Sequence, residues 1–291
     1  MKVDKFRTVI IYIIIILLGL VCLLPLLNIV AISFSSSAAV EGNMVGLIPV
    51  GFSTAAYKKI LEDSQFWHSF LISVERVVLA LIINFVLIVL MAYPLSKTNA
   101  QFRGRNIYAN LMIFAMLFNG GMIPTFLLVK SYGLLNTVWA LVLPGAVPIF
   151  NVILVMNFFA AVPKELEEAA FIDGANPFQV LTKIFIPISK PVLATVSLFS
   201  IVGSWNDFYS GLIYMSKAAY YPLMTYIQSL QINVEDLIKQ GNLSAVVESA
   251  SLGNTNLNAA KIVVAVIPLL LIYPLLQRYF VSGIVVGSVK G

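Results

Sequence analysis

Few side chains in this sequence can do chemistry. There is one histidine, His68, and one cysteine, Cys22. A His–His metal pair and a disulfide are therefore both excluded. What remains is hydrogen-bonding and stacking chemistry inside long apolar runs. Asn84 lies near the middle of one run, and Asn119 precedes Gly120-Gly121 in the next. Trp205-Asn206-Asp207-Phe208-Tyr209 falls in a later one. Amides and carboxylates exchange hydrogen bonds with hydroxyls, and aromatic rings stack on the apolar faces of pyranoses, so this set suits a sugar. The competing reading is glue between membrane helices, a common use of buried Asn. Asp207 in such a run needs a partner or water. Glu75 and Arg76 are neighbours, so they do not face each other on a helix, and they are expected to be interface charges rather than an ion pair.

The second group is a polar stretch from Pro163 to Pro187. Pro163 suits a first helical position. Glu165, Glu167 and Glu168 follow in the early turns, where the helix dipole favours negative charge. Gly174 sits where a left-handed cap is wanted. Asn176 can cap a second helix and Pro177 can open it. Lys183 lies near the end of that helix, and Pro187 and Pro191 separate it from the next element. The stretch reads as two short helices joined at a glycine.

The elements that position these residues are apolar helices. Hydrophobic residues make up 60% of the chain and charged residues 11%, where a soluble domain has about 25% charged. Mean hydropathy is +0.95. The chain reads as one all-α, polytopic membrane domain over residues 1–291. Six spans are expected at Val9–Ile32, Phe70–Leu95, Ile107–Val129, Val138–Phe159, Pro191–Tyr214 and Ala259–Val281. Each is long enough for roughly 30 Å of hydrocarbon at about 1.5 Å per residue. The first is too long for a signal-peptide core and is read as retained. Residues 33–69 and 215–258 form outer loops, with a short helix expected near Tyr57–Asp63 and amphipathic pieces such as Val234–Ile238. Pro25, Pro94, Pro124, Pro144, Pro148, Pro268 and Pro274 imply kinks. Six spans put both termini on one side. The short link after the second span carries Lys97, Arg103 and Arg105, whereas the link after the third carries Lys130. That asymmetry makes the termini and the Pro163–Pro187 segment cytoplasmic. The net charge of +5 comes with no basic cluster, so nucleic acid is rejected as a partner.

Glu168-Ala169-Ala170, Gly174, Ile184, Ile186 and Pro187 resemble, in type and spacing, the coupling motif of ABC importer permeases. Ile186 stands where Leu is commoner and keeps the apolar character. The full length looks like a permease of the carbohydrate-uptake, maltose-type class. Phe118-Asn119-Gly120-Gly121-Met122-Ile123-Pro124-Thr125, Gly133-Leu134-Leu135-Asn136-Thr137, Trp205-Asn206-Asp207 and Gln277-Arg278-Tyr279-Phe280-Val281 through Gly291 resemble its oligosaccharide branch. That branch includes the lipoprotein-operon, rhamnogalacturonan and alginate-oligosaccharide permeases. The resemblance implies a second homologous permease, two copies of a cytoplasmic ABC ATPase and an extracytoplasmic solute-binding protein. Embedded in lipid, the assembly would import an oligosaccharide across the cell membrane. Glu168, Ala169, Ala170, Phe171, Asp173, Gly174, Ile184 and Pro187 would couple to the ATPase. Asn84, Asn119, Trp205, Asn206, Asp207 and Tyr209 are the candidates for the substrate path. The outer loop 215–258 would meet the binding protein.

The chain holds no Gly-x-x-x-x-Gly-Lys-Ser/Thr loop, so it is expected to be a transport subunit and not an enzyme, with ATP and Mg bound by the partner ATPase. Two alternatives remain. One is import of another solute, such as a peptide, polyamine or phosphate ester. The other is ion-coupled secondary transport, which calls for paired intramembrane carboxylates or repeated halves. Asp207 alone qualifies, and no internal repeat is seen.

Overall fold

The computed structural model describes residues 5–118, 120–230 and 255–287. The expectations placed on Asn119, on Val234–Ile238 and on Lys290 and Gly291 lie outside them. Every described element is a helix, and the chain is an all-α, polytopic membrane protein. Among the described residues three helices are each long and apolar enough to cross a membrane unbroken: α1 (Lys5–Ser33), α4 (Ser64–Leu95) and α15 (Thr255–Gly287). Three further spans are possible if bent pairs of shorter helices each count as one.

The chain forms two compact units, residues 1–67 with 226–268 and residues 68–225 with 269–291. Their borders run through continuous helices.

In the first unit α2 (Ser37–Glu41) is capped by Ser36, and α3 (Ala55–Glu62) is the short helix expected near Tyr57. Asp63 caps the start of α4 by accepting from the Phe66 N–H at 3.0 Å. Its other oxygen lies 2.7 Å from Lys261 Nζ on α15 and accepts from the Tyr226 hydroxyl at 2.9 Å. Tyr226 belongs to a further helix, α14, at residues 223–230. Lys261 is 4% exposed, so its charge is tolerated there because the carboxylate and phenol surround it. Burial alone would raise the Asp63 pKa. Lys261, the Phe66 N–H and Tyr226 outweigh it and hold the carboxyl below the ordinary range.

The second unit is built on α4. The third expected span is not one helix: α5 (Arg105–Leu117) and α6 (Met122–Ser131) are separate. Gly121, at φ +92°, takes a backbone angle that a helix excludes, and Pro124 falls in the first turn of α6, where proline is tolerated. The fourth expected span divides into α7 (Val138–Val142), a single 3-10 turn (Leu143–Gly145) and α8 (Ile149–Ala160), bent by 48°. Pro144 and Pro148 supply the break, since neither can donate to the helical ladder. The fifth divides into α12 (Lys190–Asn206) and α13 (Tyr209–Tyr214), interrupted at Asp207–Phe208.

The polar segment is helix–glycine–helix. α9 (Lys164–Ile172) is followed by Gly174 at φ +81°. Then come α10 (Pro177–Val180), a π-turn (Leu181–Phe185) and α11 (Ile186–Ile188). Pro163 precedes the first helical residue rather than being it. Asn176 caps α10 in a reciprocal box with Gln179. Residues 177–188 meet α12 at an 83° corner. Behind this segment lies one apolar core: Val180, Leu181 and Phe185 pack with Ile88, Val89 and Ala92 of α4, Val155 and Phe159 of α8, and Val192 and Val196 of α12.

Candidate functional site

Two places in the second unit gather functional side chains. The first is a polar cavity of about 270 Å³ whose lining includes Arg76, Asn84, Asn151, Ser200, Asp207 and Ser210. Arg76, on α4, is 4% exposed. It donates to the Asp207 carbonyl oxygen at 2.9 Å and pairs with the Asp207 carboxylate. The second carboxylate oxygen accepts from the Ser210 N–H at 3.1 Å, capping the start of α13. The expectation that Arg76 is an interface charge is therefore corrected: it is buried, and it pairs with Asp207, a partner other than the neighbouring Glu75. Its partner lies 131 positions away, at the break between α12 and α13, which local spacing cannot reveal.

Asn84, lower on the same helix, is 7% exposed. Its amide lies 3.2 Å from the Ser200 hydroxyl of α12. With the amide turned to satisfy every neighbour, Nδ2 donates to the Ala146 and Ala80 carbonyls at 3.0 and 3.2 Å, and Oδ1 accepts from Ser200. We adopt that orientation, because it leaves no acceptor facing an acceptor. Arg76 and Asn84 thus serve one purpose. Each supplies a donor to a carbonyl freed where a neighbouring helix breaks, at Asp207 and at Ala146. Broken backbone in a membrane is tolerated only when it is satisfied in this way.

The other path candidates divide by exposure. Trp205 is 4% exposed and meets the Phe70 ring edge-on at 5.6 Å, so its faces are not presented to a solute in this arrangement. Asn206 is exposed, and Tyr209 is 54% exposed with its hydroxyl 3.1 Å from Met122 Sδ. Phe208, also exposed, adds an aromatic surface at the break.

The second place is the 164–188 segment. Glu168, Ala169, Phe171, Asp173, Gly174 and Pro187 are exposed, whereas Ala170 and Ile184 are half-buried against the core. Ile172 and Phe178 also expose apolar surface. Acidic and apolar side chains are thus exposed together along this segment. Apart from its two chain neighbours, nothing lies within 4 Å of where a Gly174 side chain would begin, so glycine is needed there for its left-handed backbone rather than for space.

Glu167 points the other way. It is 8% exposed, and its carboxylate holds Lys97 Nζ at 2.7 Å and the Tyr93 hydroxyl at 3.4 Å. The ammonium also lies 4.1 Å from the Tyr93 ring centroid and 4.2 Å from that of Phe185. Burial lowers the Lys97 pKa below the ordinary lysine value, and Glu167 opposes the shift. From the sequence Lys97 reads as a topology marker and Glu167 as a partner of the helix dipole. Their pairing, across 70 positions, carries no local signal.

Comparison with known proteins places this geometry. Residues 2–286 match the family of binding-protein-dependent transport system inner membrane components. The chain is 41% identical over 273 residues to protein LplC of Bacillus subtilis, covering 94% of this chain and 91% of that one. It is 39% identical over 288 residues to the polygalacturonan/rhamnogalacturonan transport system permease protein YtcP of the same species, covering 99% of each. Its fold superposes with a TM-score of 0.82 on a chain of a crystal structure described as a bacterial ABC transporter involved in the import of the acidic polysaccharide alginate. That match is 32% identical and covers 96% of this chain and 98% of the other. The chain therefore belongs to the binding-protein-dependent transport system inner membrane components, as a membrane transport subunit and not an enzyme.

Proposed function

We propose that this chain is half of the membrane path of an ATP-driven importer of oligosaccharides rich in uronic acids. The observation that carries the reading is the exposed segment 164–188, where Glu168, Phe171, Ile172 and Phe178 are all exposed, before and after a left-handed Gly174 in the chain. Such a segment, backed by the core of the spans, suits a docking partner that pushes on it. In this reading the partner is a cytoplasmic ABC ATPase, present twice, which binds ATP and Mg. A second permease completes the path, and an extracytoplasmic binding protein delivers the sugar. The termini then lie in the cytoplasm, in keeping with Lys97 and Arg103 in the link after α4 and Arg105 at the start of α5. The uronate class is supported by the names of two relatives, one a polygalacturonan/rhamnogalacturonan permease and the other part of an alginate importer. Asn206, Phe208 and Tyr209 are the exposed groups at the α12–α13 break that would meet passing sugar rings. Trp205, buried against Phe70, is not among them.

The test is purification from the native membrane in mild detergent, then reconstitution in vesicles. A second permease, an ATPase and a sugar-binding protein should co-purify, and labelled short oligogalacturonates should enter only with ATP. Reproducible recovery of the folded chain alone would sink the importer. Uptake of neutral but not acidic oligosaccharides would sink the uronate assignment alone.

A further inference from the structure

We propose that Lys97 is the joint through which movement of the 164–188 segment reaches the membrane helices. The inference rests on the reading of that segment as the face the ATPase drives. One ammonium meets three elements: Glu167 of α9 at 2.7 Å, the Phe185 ring of the π-turn at 4.2 Å, and the Tyr93 ring in the last turn of α4 at 4.1 Å. Lys97 and Glu167 are nearly buried, with side chains 12% and 11% exposed. A charge-assisted contact there keeps a fixed register, whereas an apolar contact could slide.

The far end of the device is also visible. Tyr93 and Arg76 lie on one continuous helix, about 26 Å apart at about 1.5 Å per residue. Arg76 grips Asp207, where the fifth span breaks. The same break is reached independently along α12 from the 83° corner after residue 188. Two routes from one segment thus converge on Asp207–Phe208, one through the Lys97 joint and α4, the other through α12. Unequal movement along the two would change the break between α12 and α13, where Asn206, Phe208 and Tyr209 are exposed. The stretch of α4 between Arg76 and Tyr93 is unbroken helix, held by one ion pair midway along α4 and by the other just past its C-terminal end, so it can carry displacement as a rigid rod.

The test reads the break without needing the sugar. In the assembled transporter, with Cys22→Ser to clear the background, Phe208→Cys reports accessibility by its rate of maleimide labelling. Rates are compared without nucleotide and with ATP plus vanadate. The nucleotide should change the rate at least about fivefold, and Lys97→Gln should cut that change to under about twofold, within the usual range of coupling effects. The swap Lys97→Glu with Glu167→Lys should restore it. A full nucleotide response in Lys97→Gln overturns the joint. If Lys97→Gln does not assemble, the swap decides: a native response supports the joint, while a blunted response or failure to assemble overturns it. A reporter that ignores nucleotide in the otherwise native complex speaks instead against the ATPase-driven reading of the segment.

Discussion

At the scale of single residues, the decisive features are a glycine backbone angle and a buried charge. Gly174 holds φ +81° with open space around it. A β-branched residue there meets backbone strain of about 1–2 kcal/mol rather than a clash. Gly174→Val should therefore lower the melting temperature of the purified chain only slightly. Uptake should fall by about tenfold or more, because a small misplacement of the two docking helices suffices. Vesicle uptake beside a melting curve checks this, and unchanged uptake would rule out a coupling role for the turn. Arg76→Gln is the opposite case. It leaves the Asp207 carboxylate, 28% exposed, without its cation, so the cost stays below the figure of about 3–5 kcal/mol for breaking a fully buried pair. A large loss of thermal stability is expected, partly recovered when Asp207→Asn is added. If the double variant is as unstable as the single one, the pair is not what Arg76 is for.

At the scale of elements, the breaks matter more than the helices. Three expected spans are interrupted, at Gly121, at Pro144 to Pro148, and at Asp207. Two interruptions are serviced by polar side chains of the unbroken α4, Arg76 and Asn84. In the other unit Asp63 joins α3, α4, α14 and α15 through Phe66, Tyr226 and Lys261. The folded-state pKa of Asp63 is depressed. Its contribution to stability is therefore complete above the unfolded carboxylate value of about 3.9 and is lost as pH falls through the lower folded value. Asp63→Asn should lower the melting temperature at neutral pH, and the gap from the native chain should narrow as pH falls below about 4. A gap that stays constant down to the acid limit would remove Asp63 from this role.

At the scale of the whole molecule, the chain is a transport subunit whose energy must come from elsewhere. It carries no phosphate-binding Gly-x-x-x-x-Gly-Lys-Ser/Thr loop. The purified chain should release no phosphate from ATP above buffer, and hydrolysis should appear only when a partner ATPase is added. Phosphate release from the isolated chain that survives further purification would contradict this. The match over residues 2–286 and the alignment with YtcP over 99% of both chains extend the family assignment across the molecule rather than to one motif.

Membrane character, the all-α make-up and the helix–glycine–helix segment were legible in the sequence. All three depend on local terms: hydropathy over a window, capping residues, and proline and glycine angles. Gly174, Asn176 and Pro177 sit where those terms require them. The breaks were only half legible, because a proline or glycine permits an interruption while packing decides whether one forms. The partners of Arg76, Asn84 and Glu167 were not legible at all. An arginine next to a glutamate gives no sign that its ion pair lies 131 positions on, nor a lysine in a short link that it is held by a carboxylate 70 positions away. Those pairings exist only after the helices pack, when a buried charge or a freed carbonyl must be satisfied by whatever polar group the tertiary structure brings to it.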